Sequence, residues 1–131
     1  MKIVILDGYI KNPGDLSWSR YEELGDLTIY DRTPANDTKL IMERIGDADA
    51  VLVSSVPLGR EVIENCPSIR YIGVLSTGYD GVDIQAARER NIPVCNIPTY
   101  GTDSVSQFTI ALLLEICSRA GHHSDAVKEG R

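Results

Sequence analysis

The chain has 131 residues, 43% of them hydrophobic and 24% charged, with a formal net charge of −6. That length suits one domain with a real core, and no long polar, Pro-rich or Gly/Ser-rich tract marks a disordered linker. The negative balance carries no Lys/Arg cluster, which argues against a nucleic-acid partner, and the apolar run 110–114 is too short to cross a bilayer.

The opening MKIVILDG is interrupted by Asp7 too early to read as a secretory signal, so a cytoplasmic location is expected. Cys66, Cys95 and Cys117 are widely spaced and form neither a CxxC pair nor a Cys/His ligand set. They read as free thiols in a reducing compartment, two or three of them buried, with no metal site.

The run of Ile and Val over residues 2–6 ends at Asp7 and Gly8 and reads as a buried parallel strand feeding a loop. Residues 16–24 suit a short helix stopped at Gly25. A second strand follows over 27–30, and residues 37–45 place Leu40, Ile41, Met42 and Ile45 on helical spacing before Gly46. Further strands are expected over 50–54, 71–75 and 93–95, with helices over 59–65 and 84–90, the last capped by Asp83. Strands alternating with helices of this length describe an α/β fold: a parallel sheet with helices on both faces.

From Ser104 to Cys117 almost no polar face remains, and a helix apolar all round must be buried all round. Its start is expected between Thr102 and Ser104, with Ser104 and Gln107 spaced as a capping box or Thr102 or Asp103 as the cap. Its end is expected near residues 119–121. One small sheet covers one side of such a helix, leaving the other for a second domain or a partner subunit. Residues 125–128 read as a tail of one or two turns, and the absence of a closing strand gives the expectation of a truncated chain.

In open parallel sheets, ligands settle at loops following the carboxyl ends of strands. Three loops qualify. Asp7, Gly8 and Tyr9 either simply end the first strand or border a cleft. Ser54, Ser55, Val56 and Pro57 offer two hydroxyls that bind an anion or cap the next helix. The turn Ser76, Thr77, Gly78 offers consecutive amides for a carboxylate, with Gly78 allowing close approach; Asp80 there reads as a tie within the loop. His122 and His123 lack a third ligand and read as surface or interface residues. Arg70 reads as a solvated end charge, Trp18, Tyr21 and Tyr30 as core or cleft-wall aromatics, and Tyr100 as a candidate site aromatic. No GxGxxG, Walker A or GxSxG pattern occurs.

The stretch YIGVLSTGYDGVDIQAARERNIPVCNIP over 71–98, continued by TYGTDSVSQFTIALLLEICSR, closely resembles the D-isomer-specific 2-hydroxyacid dehydrogenases. The forms TGYDGVD and GHHSDAVKEGR look most like glycerate (hydroxypyruvate) dehydrogenases. The resemblance implies a flavodoxin-like substrate domain over 1–98, then a hinge and the crossover helix that begins a Rossmann domain over 99–131. It implies hydride transfer between NAD(H) and a small D-2-hydroxy acid or 2-oxo acid. Ser76, Thr77 and Gly78 would hold the substrate carboxylate, with Ser54, Ser55 and Val56 on the opposite side of the pocket. Tyr100 would sit near the substrate, and Val105 and Gln107 would reach the nicotinamide; where Gln107 stands, the commoner family residue is Glu.

The catalytic Arg, His and acid of that family belong to its second domain, and neither His122 nor His123 matches the catalytic His. The chain alone is therefore expected to be inactive, and a homodimer through helix 102–119 is expected. Other acids (phosphoglycerate, lactate-like acids, glyoxylate) stay open as substrates. A stand-alone flavodoxin-like or receiver-like binding module is the non-enzymatic alternative; Asp7 stands alone where a receiver wants an acidic cluster.

Overall fold

Strand β3, Ala50–Val53, is buried at every position, the signature of a strand covered on both faces. It lies at the middle of a five-stranded, all-parallel sheet ordered β2-β1-β3-β4-β5. The remaining strands are β1 (Lys2–Ile5), β2 (Asp26–Ile29), β4 (Tyr71–Val74) and β5 (Val94–Cys95). The computed structural model describes all 131 residues.

Connection geometry distributes the helices. The step from β1 to β2 runs one way across the sheet, and the steps onward to β3, β4 and β5 run the other way. Right-handed crossovers therefore send α1 (Ser19–Glu22) to one face and α2 (Thr38–Ile45), α3 (Arg60–Asn65) and α4 (Ile84–Glu89) to the other. The packing agrees. Val4, Leu6, Val51, Val53, Ile72 and Val74 join Ile41, Ile45, Val62, Ile63, Ala86 and Ala87 in the larger core. On the opposite face Ile3, Ile5, Ala50 and Leu52 meet Trp18, Tyr21, Leu27 and Ile29. Both faces carry helices, as expected, but unequally.

Local chemistry sets the helix ends. Asp37 and Asp83 accept from the N–H groups of Leu40 and Ala86 at 3.0 and 2.8 Å, capping α2 and α4. The Arg90 guanidinium donates to the carbonyls of Ile63, Cys66 and Pro67, satisfying the C-terminal end of α3.

Several expectations change. Helix α1 is one turn and not the whole of 16–24, because the Asn12 side chain organises the preceding backbone. Its Oδ1 accepts from Gly14 and Leu16 N–H at 3.0 Å each, and its Nδ2 donates to the Leu16 carbonyl at 2.7 Å. A single 3-10 turn, Gly8–Ile10, follows β1. The two serines after β3 do not cap α3; Gly59 holds that position without a side-chain bond. Of the three thiols only Cys66 is buried, while Cys95 and Cys117 are exposed on edge strand β5 and on the long helix.

By contact density the chain divides into two units, Met1–Pro98 and Thr99–Arg131. The second comprises α5 (Thr102–Ser118) and α6 (Ala120–Lys128), joined at Arg119, which adopts the left-handed conformation with φ of 48°. Gly101 is the N-cap of α5, so the capping box does not form; Ser104 lies inside the helix and donates to the Gly101 carbonyl at 3.2 Å. Helix α6 is nine residues long, more than the short tail expected. All apolar side chains of α5 are exposed, Phe108 at 64% and Ile116 at 76%. No helix is long and apolar enough to cross a membrane.

Candidate functional site

The topological switch lies between β1 and β3, where the chain reverses its direction of travel across the sheet; the crevice there is where open α/β sheets bind ligands. The strands β1, β3 and β4 each end there in a turn: Asp7 after β1, residues 54–56 after β3, residues 76–78 after β4.

Asp7 is 2% exposed. Its carboxylate accepts from the N–H of Ser54 at 2.9 Å, of Ser55 at 2.6 Å and of Val56 at 3.3 Å, and from the Ser55 hydroxyl at 3.2 Å. No cation pairs with it; three convergent amide dipoles and one hydroxyl balance the charge instead. The anion that the 54–56 turn binds is thus part of the chain. This role of Asp7 escaped the sequence reading. The available signal was an acid immediately after a wholly apolar strand, with a neighbouring strand ending in two serines.

The 76–78 turn is wired in the opposite sense. All three of its carbonyls accept: Ser76 O from Ile97 N–H at 3.0 Å, Thr77 O from Asn96 Nδ2 at 2.7 Å, and Gly78 O from the Ser76 hydroxyl at 3.0 Å. The Thr77 hydroxyl donates to the Ile97 carbonyl at 3.2 Å. The three N–H groups find no acceptor within the chain. Ser76 is half-buried and Thr77 and Gly78 are exposed, so these donors face solvent and the cleft, and a run of them with every neighbouring carbonyl occupied is chemically suited to seat an anion.

A cleft of about 340 Å³ lies between the two turns, lined by Ser54, Ser55, Val56, Ser76 and Gly78, with Tyr79, Asp80 and Gly81 on the outer side. The outer loop is tied down by Leu58, whose N–H donates to the Gly81 carbonyl at 2.9 Å and whose carbonyl accepts from Asp83 N–H at 2.9 Å. The Ser54 hydroxyl oxygen is buried without a hydrogen-bond partner. Two larger clefts, of about 580 and 570 Å³, lie beside β5 and over the second sheet face. We place the site in the smaller one because it joins the strand-end turns and holds the unpaired donors.

The structure therefore brings five expected site residues, Ser54, Ser55, Val56, Ser76 and Gly78, around one cleft, with Thr77 between two of them in the chain. Tyr100, Val105 and Gln107 belong to the second unit, where all three are exposed. His122 and His123 stack edge to face at 5.7 Å on exposed α6. Arg70 is exposed, with Asp49 at 3.8 Å.

A doubly wound parallel sheet with an unfilled amide turn after β4, beside the turn at its switch point, defines an α/β domain with the backbone chemistry to bind a small anion. The chain belongs to the D-isomer specific 2-hydroxyacid dehydrogenase family, whose catalytic-domain model matches residues 3–128. It is 58% identical to a hydroxypyruvate reductase of Blautia hydrogenotrophica over 131 residues, which is 100% of this chain and 41% of that protein. It is 32% identical over 114 residues to a glyoxylate reductase of Korarchaeum cryptofilum, covering 86% of the chain and 34% of that protein. Among solved structures, an acyclic imino acid reductase in complex with NADPH and D-Arg superposes with a TM-score of 0.82 at 24% identity, over 100% of this chain and 42% of its own. The chain thus spans about two fifths or less of the length of these relatives.

Proposed function

We propose that the complete protein containing this chain reduces small 2-oxo acids with NADH, with hydroxypyruvate and D-glycerate as the substrate pair. The observation that carries this reading is the 76–78 turn, whose three N–H groups lack acceptors while every carbonyl is engaged. The 58% identity to a hydroxypyruvate reductase supports the choice of acid.

In this reading Met1–Pro98 is the substrate half and Thr99–Arg131 begins the nucleotide domain. Ser76, Thr77 and Gly78 hold the carboxylate; Ser54, Ser55 and Val56 form the facing wall. Tyr100 approaches the substrate, and Val105 and Gln107 approach the nicotinamide end of the cofactor, where a glutamine side chain both donates to and accepts from a carboxamide. The cofactor, when bound, supplies a hydride to the keto carbon. The catalytic Arg, His and acid lie outside residues 1–131. Hydride transfer requires the two carbons near contact in a water-poor cleft, so one wall alone does not turn over.

Cofactor oxidation by the complete protein and by the 131-residue chain, each supplied with hydroxypyruvate, tests this. Turnover is expected from the first and none from the second. Activity of the 131-residue chain alone would refute the two-domain division, and a complete protein that turns over glyoxylate but not hydroxypyruvate would move the substrate to the second reading, which the glyoxylate reductase relative supports.

A homodimer through the helix 102–119 accompanies this reading. The exposed side chains of Phe108, Leu112, Leu113 and Ile116 form a patch of the kind that soluble monomers seldom present. Leu113→Asp is expected to disperse self-associated 131-residue chain in analytical ultracentrifugation, and an unchanged sedimentation profile counts against the contact. The exposed thiols of Cys95 and Cys117 suit a reducing cytoplasm.

A further inference from the structure

We infer that Asp7 is a positioning residue that makes the cleft selective for 2-oxo acids with a single carboxylate. The inference rests on the proposed reading of the 76–78 turn. Two neighbouring strand-end turns, 54–56 and 76–78, line one cleft; their strands are in register at Val53 and Val74, and Leu75 N–H donates to the Val53 carbonyl at 2.6 Å. Each turn contains three consecutive N–H groups, so by backbone chemistry alone each is an anion seat.

Asp7 fills the first seat from within, with Ser54, Ser55 and Val56 N–H all directed to its carboxylate. The second stays open. A substrate with one carboxylate is therefore oriented in one sense, at 76–78. A second carboxylate reaching the 54–56 wall meets no free backbone donor, because all three N–H groups are engaged by Asp7, and it meets the like charge of Asp7 behind them.

Hydroxypyruvate and oxaloacetate isolate this effect, because oxaloacetate has a carboxylate where hydroxypyruvate has its hydroxyl. In the complete protein, Asp7→Ala is expected to shift the ratio of kcat/KM values toward oxaloacetate by about tenfold or more, with most of the change in KM. A purely structural role lowers both substrates in proportion, and that outcome overturns the inference.

Acetate titration followed by backbone amide NMR separates this inference from the proposed activity. In the wild-type protein, acetate is expected to leave the Ser54, Ser55 and Val56 amides unmoved, and those amides are expected to exchange slowly although they lie in a turn. In Asp7→Ala the same three amides are expected to shift with acetate in a saturable way. Movement of these amides in the wild type, or none in the variant, overturns the inference. Should the wild type fail to reduce hydroxypyruvate, the proposed function falls while the titration still decides the role of Asp7. Should Asp7→Ala fail to fold, Asp7→Asn and the wild-type titration carry the decision.

Discussion

Asn96 braces the 76–78 turn, the proposed carboxylate seat, from outside it. Its Nδ2 donates to the Thr77 carbonyl at 2.7 Å, one of three bonds that pin residues 76–77 to residues 96–97; the others are Ile97 N–H to Ser76 O at 3.0 Å and Thr77 Oγ1 to Ile97 O at 3.2 Å. Replacing Asn96 with Leu removes one bond and leaves two. A neutral hydrogen bond of this kind contributes roughly 0.5–1.5 kcal/mol net, so the closure of the turn weakens by roughly 2- to 12-fold. Apparent affinity falls in proportion to the fraction of molecules with the turn in place. In the complete protein the KM for hydroxypyruvate of Asn96→Leu is therefore expected to rise by at most roughly 10-fold, the full factor applying only to a turn already largely open, with kcat and the KM for NADH little changed. The melting temperature is expected to drop by a few degrees at most, since two pins remain. Asn96→Asp is expected to be worse than Asn96→Leu: it sets a carboxylate against the Thr77 carbonyl and repels the incoming anion. Steady-state kinetics on the three proteins decide the matter. An unchanged KM in both variants would refute the pinning argument, and a kcat loss at constant KM would show that Asn96 acts on the reacting atoms.

Gly73→Ala places a Cβ about 2.5 Å from Leu52 Cδ2 and 3.1 Å from Tyr71 Cε1. Overpacking of roughly 1–3 kcal/mol then outweighs the gain of roughly 0.5–1 kcal/mol from replacing a strand glycine; urea denaturation is expected to show net destabilisation by Gly73→Ala in the wild-type background and little or none when the same change is made in a Leu52→Ala background. In the native 131-residue chain iodoacetamide is expected to label Cys95 and Cys117 readily and Cys66 only after unfolding, because burial removes access to Cys66 and pushes its thiol pKa up; mass spectrometry of the labelled peptides checks this. Hydrogen bonds from Arg60, then from Gln85, hold the Glu89 carboxyl below its ordinary pKa. Its contribution is therefore present above the ordinary glutamate range and lost as pH falls through the depressed value. Arg60→Met is expected to flatten that acid-side slope in denaturant titrations at a series of pH values, and an identical slope would show the pair to be screened out.

What the sequence by itself determined lies in short-range pattern. The wholly apolar AVLV of β3 declares a strand covered on both faces. Asp83 announces the cap it forms, because a cap and its N–H partner are three residues apart. The continuous apolar face of α5 demands cover, and the motif around Gly78 marks the turn whose amides stay open. Each of these is encoded within about one helical turn or one strand. Tertiary structure decided what depends on distant segments meeting. The Asn12 side chain cut α1 to one turn by binding its own loop, where propensity over residues 16–24 pointed to a longer helix. Ser54 and Ser55 became ligands of Asp7 and not caps of α3, because the parallel pairing of β1 with β3 brings a carboxylate 47 and 48 residues away in sequence beneath their amides. Burying that charge without a cation requires several converging donors at once, and only the sheet's strand order supplies them.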